Sequence, residues 1–185
     1  RVINNNKLNM NTSDISPFRG AGGIFLIGFM GSGKTYWGNL WARQTGMPFF
    51  DLDEVIEQQE HKTIAEIFEQ NGEAYFRQKE TDTLKTFSEK KKCIIACGGG
   101  TPCFNNNMQW MNEQGTTVYL AATPGDIIKR VINEQAKRPL IKNIHPAELK
   151  IFIEQKLKER EPFYTTAKII LPVNEITAVT INSII

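Results

Sequence analysis

The sequence predicts an α/β fold, a parallel sheet wrapped by helices, and three observations carry that expectation. Short apolar runs alternate with amphipathic stretches, several of those runs are apolar throughout, and a gapless GxxxxGK[ST] lies where one run gives way to a helical pattern. Strands of a parallel sheet are buried on both faces, so continuous apolar runs suit them better than alternating ones. Ligands of such sheets bind beyond the carboxyl ends of the strands.

The expected strands are Ile24-Phe25-Leu26-Ile27, Phe49-Phe50, Cys93 to Cys97, Thr117 to Ala121 and Lys168 to Leu171. Each is too short for a helix. Between the first two, Trp37, Leu40 and Trp41 share a helical face that stops at Gly46 and Pro48. Thr63-Ile64-Ala65-Glu66 has capping-box spacing, with Ile64, Ile67 and Phe68 forming an apolar stripe before Asn71-Gly72. Phe76, Leu84 and Phe87 continue on another helix, followed by Ile127, Ile128, Val131 and Ile132, then by Phe152, Ile153 and Leu157. Residues 1–22 are rich in Asn, Ser and Gly and lack apolar periodicity, so they are expected to be a disordered or artificially appended extension preceding one domain over 23–185.

Composition narrows the function classes. Twenty-two Lys and Arg against 20 Asp and Glu leave no field that points to nucleic acid or to an anionic membrane. Lys90-Lys91-Lys92 reads as a solvated turn. Three cysteines, Cys93, Cys97 and Cys103, lack CxxC or Cys/His spacing, so neither a zinc site nor a disulfide framework is expected. No apolar run reaches the ~18 residues of a membrane span. A soluble, cytoplasmic monomer is the expectation.

Gly28-Phe29-Met30-Gly31-Ser32-Gly33-Lys34-Thr35 follows one strand and opens one helix, the context a phosphate-binding loop requires. Its glycines let backbone N–H groups wrap phosphates at the positive end of the helix dipole, Lys34 reaches the β- and γ-phosphates, and the Thr35 hydroxyl suits Mg²⁺. Such a loop specifies a nucleotide and not a reaction; a switch GTPase, a motor, a transporter ATPase and a small-molecule kinase all carry one. No NKxD-type guanine motif is present. Two further features lie at expected strand ends: Asp51-Leu52-Asp53, and the three glycines Gly98-Gly99-Gly100. Carboxylates spaced in this way suit one for a metal and one for a hydroxyl.

Taken together, GFMGSGKT, DLDEVIE, GEAYFRQKE, CGGGT, RPL and EREPFY stand in the order and spacing of shikimate kinases, from about Ile24 to about Leu171. The chain resembles that family. The resemblance implies a three-layer P-loop fold similar to that of nucleoside monophosphate kinases, with a five-stranded parallel sheet, a substrate-binding segment over about 51–88 and a mobile lid. It implies transfer of the γ-phosphate of ATP to the 3-hydroxyl of shikimate, in aromatic amino-acid biosynthesis. Gly31, Ser32, Gly33, Lys34, Thr35, Tyr36 and Arg138 would serve ATP. Thr35 and, through water, Asp51 would hold Mg²⁺. Asp53 would bind the shikimate hydroxyls and orient or deprotonate the attacking one, making Asp53, Lys34 and Arg138 the catalytic set. Arg77 and Arg160 would clamp the substrate carboxylate, and Gly98, Gly99 and Gly100 would line the same pocket, where a side chain would take the place of the ring.

The polar, basic stretch 134–146, bounded by proline, suits the lid; Arg138 is the candidate to swing over the γ-phosphate, and Arg130 is expected near the nucleotide. Two stretches depart from the family pattern. LPVNEIT lacks the arginine that many members place near adenine, leaving Pro172 and Asn174 to substitute through packing and backbone, and NNNMQWMNE is unusually rich in asparagine. His61 and His145 read as surface residues, and Cys97 as a small buried one. Two other readings share the phosphate loop: another small-molecule kinase of this fold, for gluconate or a nucleotide, and a regulatory module that binds nucleotide without turnover.

Overall fold

The computed structural model of the protein describes residues 22–132 and 140–185. Five strands, β1 (Ile24–Ile27), β2 (Phe49–Asp51), β3 (Ile94–Ala96), β4 (Thr116–Ala121) and β5 (Ile169–Pro172), pair in parallel in the order β2-β3-β1-β4-β5. Helices α1 (Lys34–Thr45), α2 (Leu52–Glu60), α3 (Ile64–Lys85), α4 (Asn107–Gln114), α5 (Pro124–Val131) and α6 (Leu149–Tyr164) connect and cover them. The α/β architecture is the one expected, with strand ends differing by a residue.

Alternation along the buried strands builds two cores, one on each face of the sheet. Phe25 and Ile27 of β1 and Tyr119 of β4 pack with Leu52, Ile56, Phe76 and Tyr164. Their neighbours Ile24, Leu26, Val118 and Leu120 pack against Trp41 and the C-terminal Ile181 and Ile184. Each fully buried apolar side chain contributes about 1.5–3 kcal/mol. A third cluster joins Phe29 of the phosphate loop to Ile127 and Val131 of α5 and to Leu149 and Ile153 of α6, so the loop is anchored from below.

The helix ends follow the sequence signals. Gly46 closes α1 in a left-handed conformation, φ 71°, its N–H reaching the Ala42 carbonyl. The capping box opens α3: Thr63 Oγ1 accepts from the Glu66 N–H at 3.2 Å, and the Glu66 carboxylate accepts from the Thr63 N–H at 2.8 Å. Gly72, at φ 80°, breaks the helical backbone inside α3, so the two helical runs expected on either side of Asn71-Gly72 form one kinked element. Phe87 falls just past it, in a 3₁₀ turn over Thr86–Glu89. Among the described residues, no helix is long and apolar enough to cross a membrane.

Register is what positions the site. Leu26 of β1 pairs with Ala96 of β3, and Ala96 pairs with Asp51 of β2. The carboxyl ends of these three strands are therefore level, and the segments that leave them, Gly28–Thr35, Asp51–Asp53 and Cys97–Gly100, emerge side by side. Later strands pair on the other flank of β1, which makes this edge the point where the sheet order changes direction and a crevice opens.

Candidate active site

The phosphate loop spans the gap between β1 and α1. Gly31 and Gly33 take φ of 76° and 96°, values that side chains disfavour, and this curls the backbone ahead of the α1 N-terminus. Lys34 Nζ donates to the carbonyls of Gly28 at 2.8 Å and Phe29 at 3.1 Å, placing the ammonium across the loop mouth. Thr35 Oγ1 donates to Asp51 Oδ2 at 2.8 Å, while Asp51 Oδ1 caps α2 by accepting from the Asp53 N–H at 3.1 Å. From α5, Arg130 Nη1 donates to the Gly31 carbonyl at 2.9 Å. A cavity of about 440 Å³ opens here, lined by Gly31, Gly33, Lys34, Thr35, Tyr36, Asp51, Arg130 and others. Ser32 is fully buried beneath it.

A second cavity, of about 230 Å³, adjoins the first and is lined by Arg77, Glu80, Gly100, Arg160, Leu140 and apolar side chains of α3. Both cavities share Met30, Asp53, Gly98 and Gly99 as walls, so Lys34 and Gly99 face one continuous cleft. Arg77 and Arg160 are 7% and 9% exposed, which removes them from the class of surface ion pairs. Arg77 donates from Nη1 to Glu80 at 2.9 Å and from Nη2 to Glu73 at 3.0 Å, and its guanidinium lies 4.3 Å from the Phe104 ring centroid. Arg160 sits 5.2 Å from the centroid of Phe29. One turn further along α6, the buried Tyr164 hydroxyl donates to the Gly99 carbonyl.

Asp53 lies between the two cavities. Its Oδ1 is buried and has no hydrogen-bond partner among the described residues. Burial first, and then the neighbouring carboxylates Glu80 and Asp51, push its pKa from 3.8 to about 7, with Lys34 pulling the other way. Burial also raises Glu80, against the pull of Arg77 and of Thr101. The folded protein thus holds the Asp53 proton more tightly than the unfolded chain does. Stability is lost as pH rises from the unfolded value toward about 7, and stays lower above it. Asn cannot ionise, so the ligand-free Asp53→Asn variant should melt above wild type at about pH 8.5, with the gap closing toward about pH 4. Thermal melts that stay parallel across that range would contradict a buried, ionisable Asp53.

The three glycines make room first for the protein's own charges. A Cβ on Gly98 would stand 2.7 Å from Glu80 Oε1 and 2.9 Å from Asp53 Oδ1, and one on Gly100 would stand 2.6–2.8 Å from the Arg77 guanidinium. A Cβ on Gly99 would meet Arg160 Nη1 at 3.2 Å. The glycines line the second cavity, and their bare backbone leaves room there for the side chains of Glu80, Asp53, Arg77 and Arg160.

The cleft brings together Lys34, Thr35, Tyr36, Asp51, Asp53, Arg77, Gly98, Gly99, Gly100, Arg130 and Arg160. Arg138, and the stretch 134–139 of the expected lid, lie outside the described residues; the remainder of that stretch runs from Leu140, which lines the second cavity, to the buried Ile141. His61 and His145 are exposed and Cys97 is buried, as expected. Sequence reasoning passed over Glu80, Thr101 and Tyr164. Glu80 was findable, since it stands three positions after Arg77 in FRQKE, on the same helical face.

Known proteins resemble this chain in sequence and in fold. The family model described as shikimate kinase matches residues 30–184. A shikimate kinase of Bacteroides thetaiotaomicron is 42% identical over 153 residues, 83% of this chain and 87% of that protein. One from Bacteroides fragilis is 44% identical over 147 residues, 80% of this chain and 82% of that protein. Among solved structures, the Bacteroides thetaiotaomicron enzyme superposes with TM-score 0.79, covering 84% of this chain and 88% of that one at 42% identity. Shikimate kinase from Acinetobacter baumannii in complex with shikimate superposes with TM-score 0.78 at 32% identity, covering 85% and 86%. A gluconokinase from Sinorhizobium meliloti, 14% identical with TM-score 0.55 over 88% and 89%, shares the fold alone.

Proposed function

This chain belongs to the shikimate kinase family, and from that membership and the joined cavities we infer that it transfers the γ-phosphoryl group of ATP to the 3-hydroxyl of shikimate. The observation that carries the reading is the shared wall: Asp53, Gly98 and Gly99 border both the phosphate-loop cavity and the one containing Arg77 and Arg160. A donor phosphate in the first cavity and a small acid in the second meet at Asp53.

Phosphoryl transfer leaves a protein mainly positioning and charge neutralisation to perform. The loop amides at the α1 N-terminus and Lys34 hold the phosphates of ATP, with Arg130 bracing the loop through the Gly31 carbonyl. Thr35 and Asp51, paired at 2.8 Å, supply one hydroxyl and one carboxylate on the nucleotide wall, a donor set that fits Mg²⁺, with Asp51 acting through water. When bound, Mg²⁺ supplies charge neutralisation along the phosphates. Arg77 and Arg160 take the substrate carboxylate, and Asp53 accepts a hydrogen bond from the 3-hydroxyl. As that oxygen bonds to the γ-phosphorus and the bond to the β-phosphate oxygen breaks, Asp53 takes the proton; a pKa of about 7 suits a base working near neutrality. Arg138, on a lid over 134–146, belongs to the proposal as the cation that closes over the γ-phosphate, excluding water. A cytoplasmic monomer, one domain over 23–185 with its substrate segment at about 51–88, completes it.

Charge-assisted hydrogen bonds contribute about 1.5–3 kcal/mol each, so Arg160→Ala should raise the KM for shikimate about ten- to a hundredfold with a smaller change in kcat. An unchanged KM with a collapsed kcat would contradict the clamp. The function itself is tested by a coupled assay of ADP release with shikimate, gluconate, nucleoside monophosphates or no acceptor. Only shikimate should raise the rate above the acceptor-free background. Stimulation by gluconate or a nucleotide would reassign the reaction, and no stimulation at all would make the protein a nucleotide-binding module.

A further inference from the structure

Behind the acid cavity lies a closed loop of buried polar contacts that the reaction itself does not use. Thr81, one turn after Arg77 on α3, donates from Oγ1 to the Arg77 carbonyl at 2.9 Å. Asn107, the first residue of α4, donates from Nδ2 to Thr81 Oγ1 at 3.1 Å and to the Thr101 carbonyl at 3.0 Å. Thr101 Oγ1 donates to Glu80 Oε1 at 2.6 Å, and Glu80 Oε2 accepts from Arg77 Nη1 at 2.9 Å, which closes the circuit. Glu80, Thr81, Thr101 and Asn107 are each no more than 2% exposed. Asn105 adds a brace, donating to Thr81 Oγ1 at 2.9 Å from a left-handed backbone at φ 50°.

The circuit ties α3 to the segment that follows the three glycines. The Thr81 hydroxyl has one proton and two lone pairs, and all three are used: it donates to Arg77 and accepts from Asn105 and Asn107. Asn107 spends both amide hydrogens on the circuit, while its Oδ1 has no partner among the described residues. Its two donated bonds tie the start of α4 both to α3 and to the segment after the glycines. The asparagine-rich stretch that stood out in the sequence thereby has a task.

We infer that Thr81 and Asn107 are positioning residues for recognition of the acid: together they fix the backbone of Arg77, and through Thr101 and Glu80 its guanidinium, relative to the glycine segment. The inference rests on the reading that Arg77 holds the substrate carboxylate. It locates the specificity of the cleft partly in two uncharged side chains that line neither cavity.

Thr81→Val keeps the shape and deletes the hydroxyl, whereas Thr81→Ser keeps the hydroxyl and deletes a methyl. Steady-state kinetics should show Thr81→Val raising the KM for shikimate about tenfold, with the KM for ATP within about twofold of wild type. Thr81→Ser should restore the shikimate KM. Asn107→Ala, read in the same way, serves should Thr81→Val fail to fold. Unchanged shikimate KM in both Thr81→Val and Asn107→Ala, or equal rises for ATP and shikimate, would overturn the inference, since loosened packing alone has no reason to single out one substrate. Arg77→Ala in parallel separates the two levels. If it raises the shikimate KM while Thr81→Val and Asn107→Ala do not, only the circuit falls; if it too leaves that KM unchanged, the clamp and the circuit fall together.

Discussion

Asp53→Asn is expected to lower kcat by about 10²- to 10⁴-fold while the KM for shikimate changes far less, because the substitution removes a proton acceptor and preserves side-chain volume. The geometry supports so selective an effect. Asp53 is the second residue of α2 and its N–H donates to the Asp51 carboxylate that caps the helix, so its backbone is held whichever side chain it carries. Its Oδ1, buried without a partner among the described residues, stands on the wall common to both cavities. Asn can still accept a hydrogen bond from the 3-hydroxyl, which retains binding, but takes no proton as the oxygen attacks. Single-turnover measurements at saturating ATP and shikimate would isolate the step. Near-normal turnover in the variant would remove Asp53 from the mechanism and leave the reaction to positioning and charge alone.

Gly98→Ala should cost as much by another route. The added Cβ would lie 2.7 Å from Glu80 Oε1, 2.9 Å from Asp53 Oδ1 and 3.1 Å from Thr101 Oγ1, so three groups from three segments compete for its volume. None moves cheaply. Glu80 is held by Arg77 and Thr101, and the backbone of Asp53 is fixed at a helix start. Misplacement of a reacting group by about 1 Å costs on the order of a hundredfold in rate, and here Asp53, the proposed base, and Glu80, the partner of the proposed Arg77 clamp, are displaced together. The expected outcome is a loss on that order in kcat/KM for shikimate, with nucleotide binding retained. A Gly98→Ala enzyme within about threefold of wild type would show that the carboxylates have slack that the packing denies.

How much of this was legible depended on sequence distance. The phosphate loop is contiguous chemistry, eight residues in a strand-to-helix context, and could be read with no other information. Buried strands announced themselves because both of their faces are covered, and the capping box at Thr63 and the stop at Gly46 marked the helix ends. Arg77 and Arg160 gave no such signal. A basic residue on a helix looks the same whether it faces water or a cavity, and only the motif register tied the two together. Thr101, Tyr164 and Asn107 were hidden for a related reason: their partners lie 21, 65 and 26 positions away, a separation that no local pattern encodes. The glycine triplet was seen but half understood, because the volumes it accommodates belong to side chains from α2, α3 and α6.

The acid cavity is assembled from distant parts of the chain, and the timing of its birth follows from that. Gly28–Thr35 leaves the ribosome well before α6, the helix that carries Arg160 and the Tyr164 hydroxyl bonded to the Gly99 carbonyl. A nascent polypeptide stalled ahead of α6 would hold Lys34 and Thr35 without Arg160 or the Tyr164 brace, so the lining of the second cavity is completed later in synthesis than that of the phosphate loop.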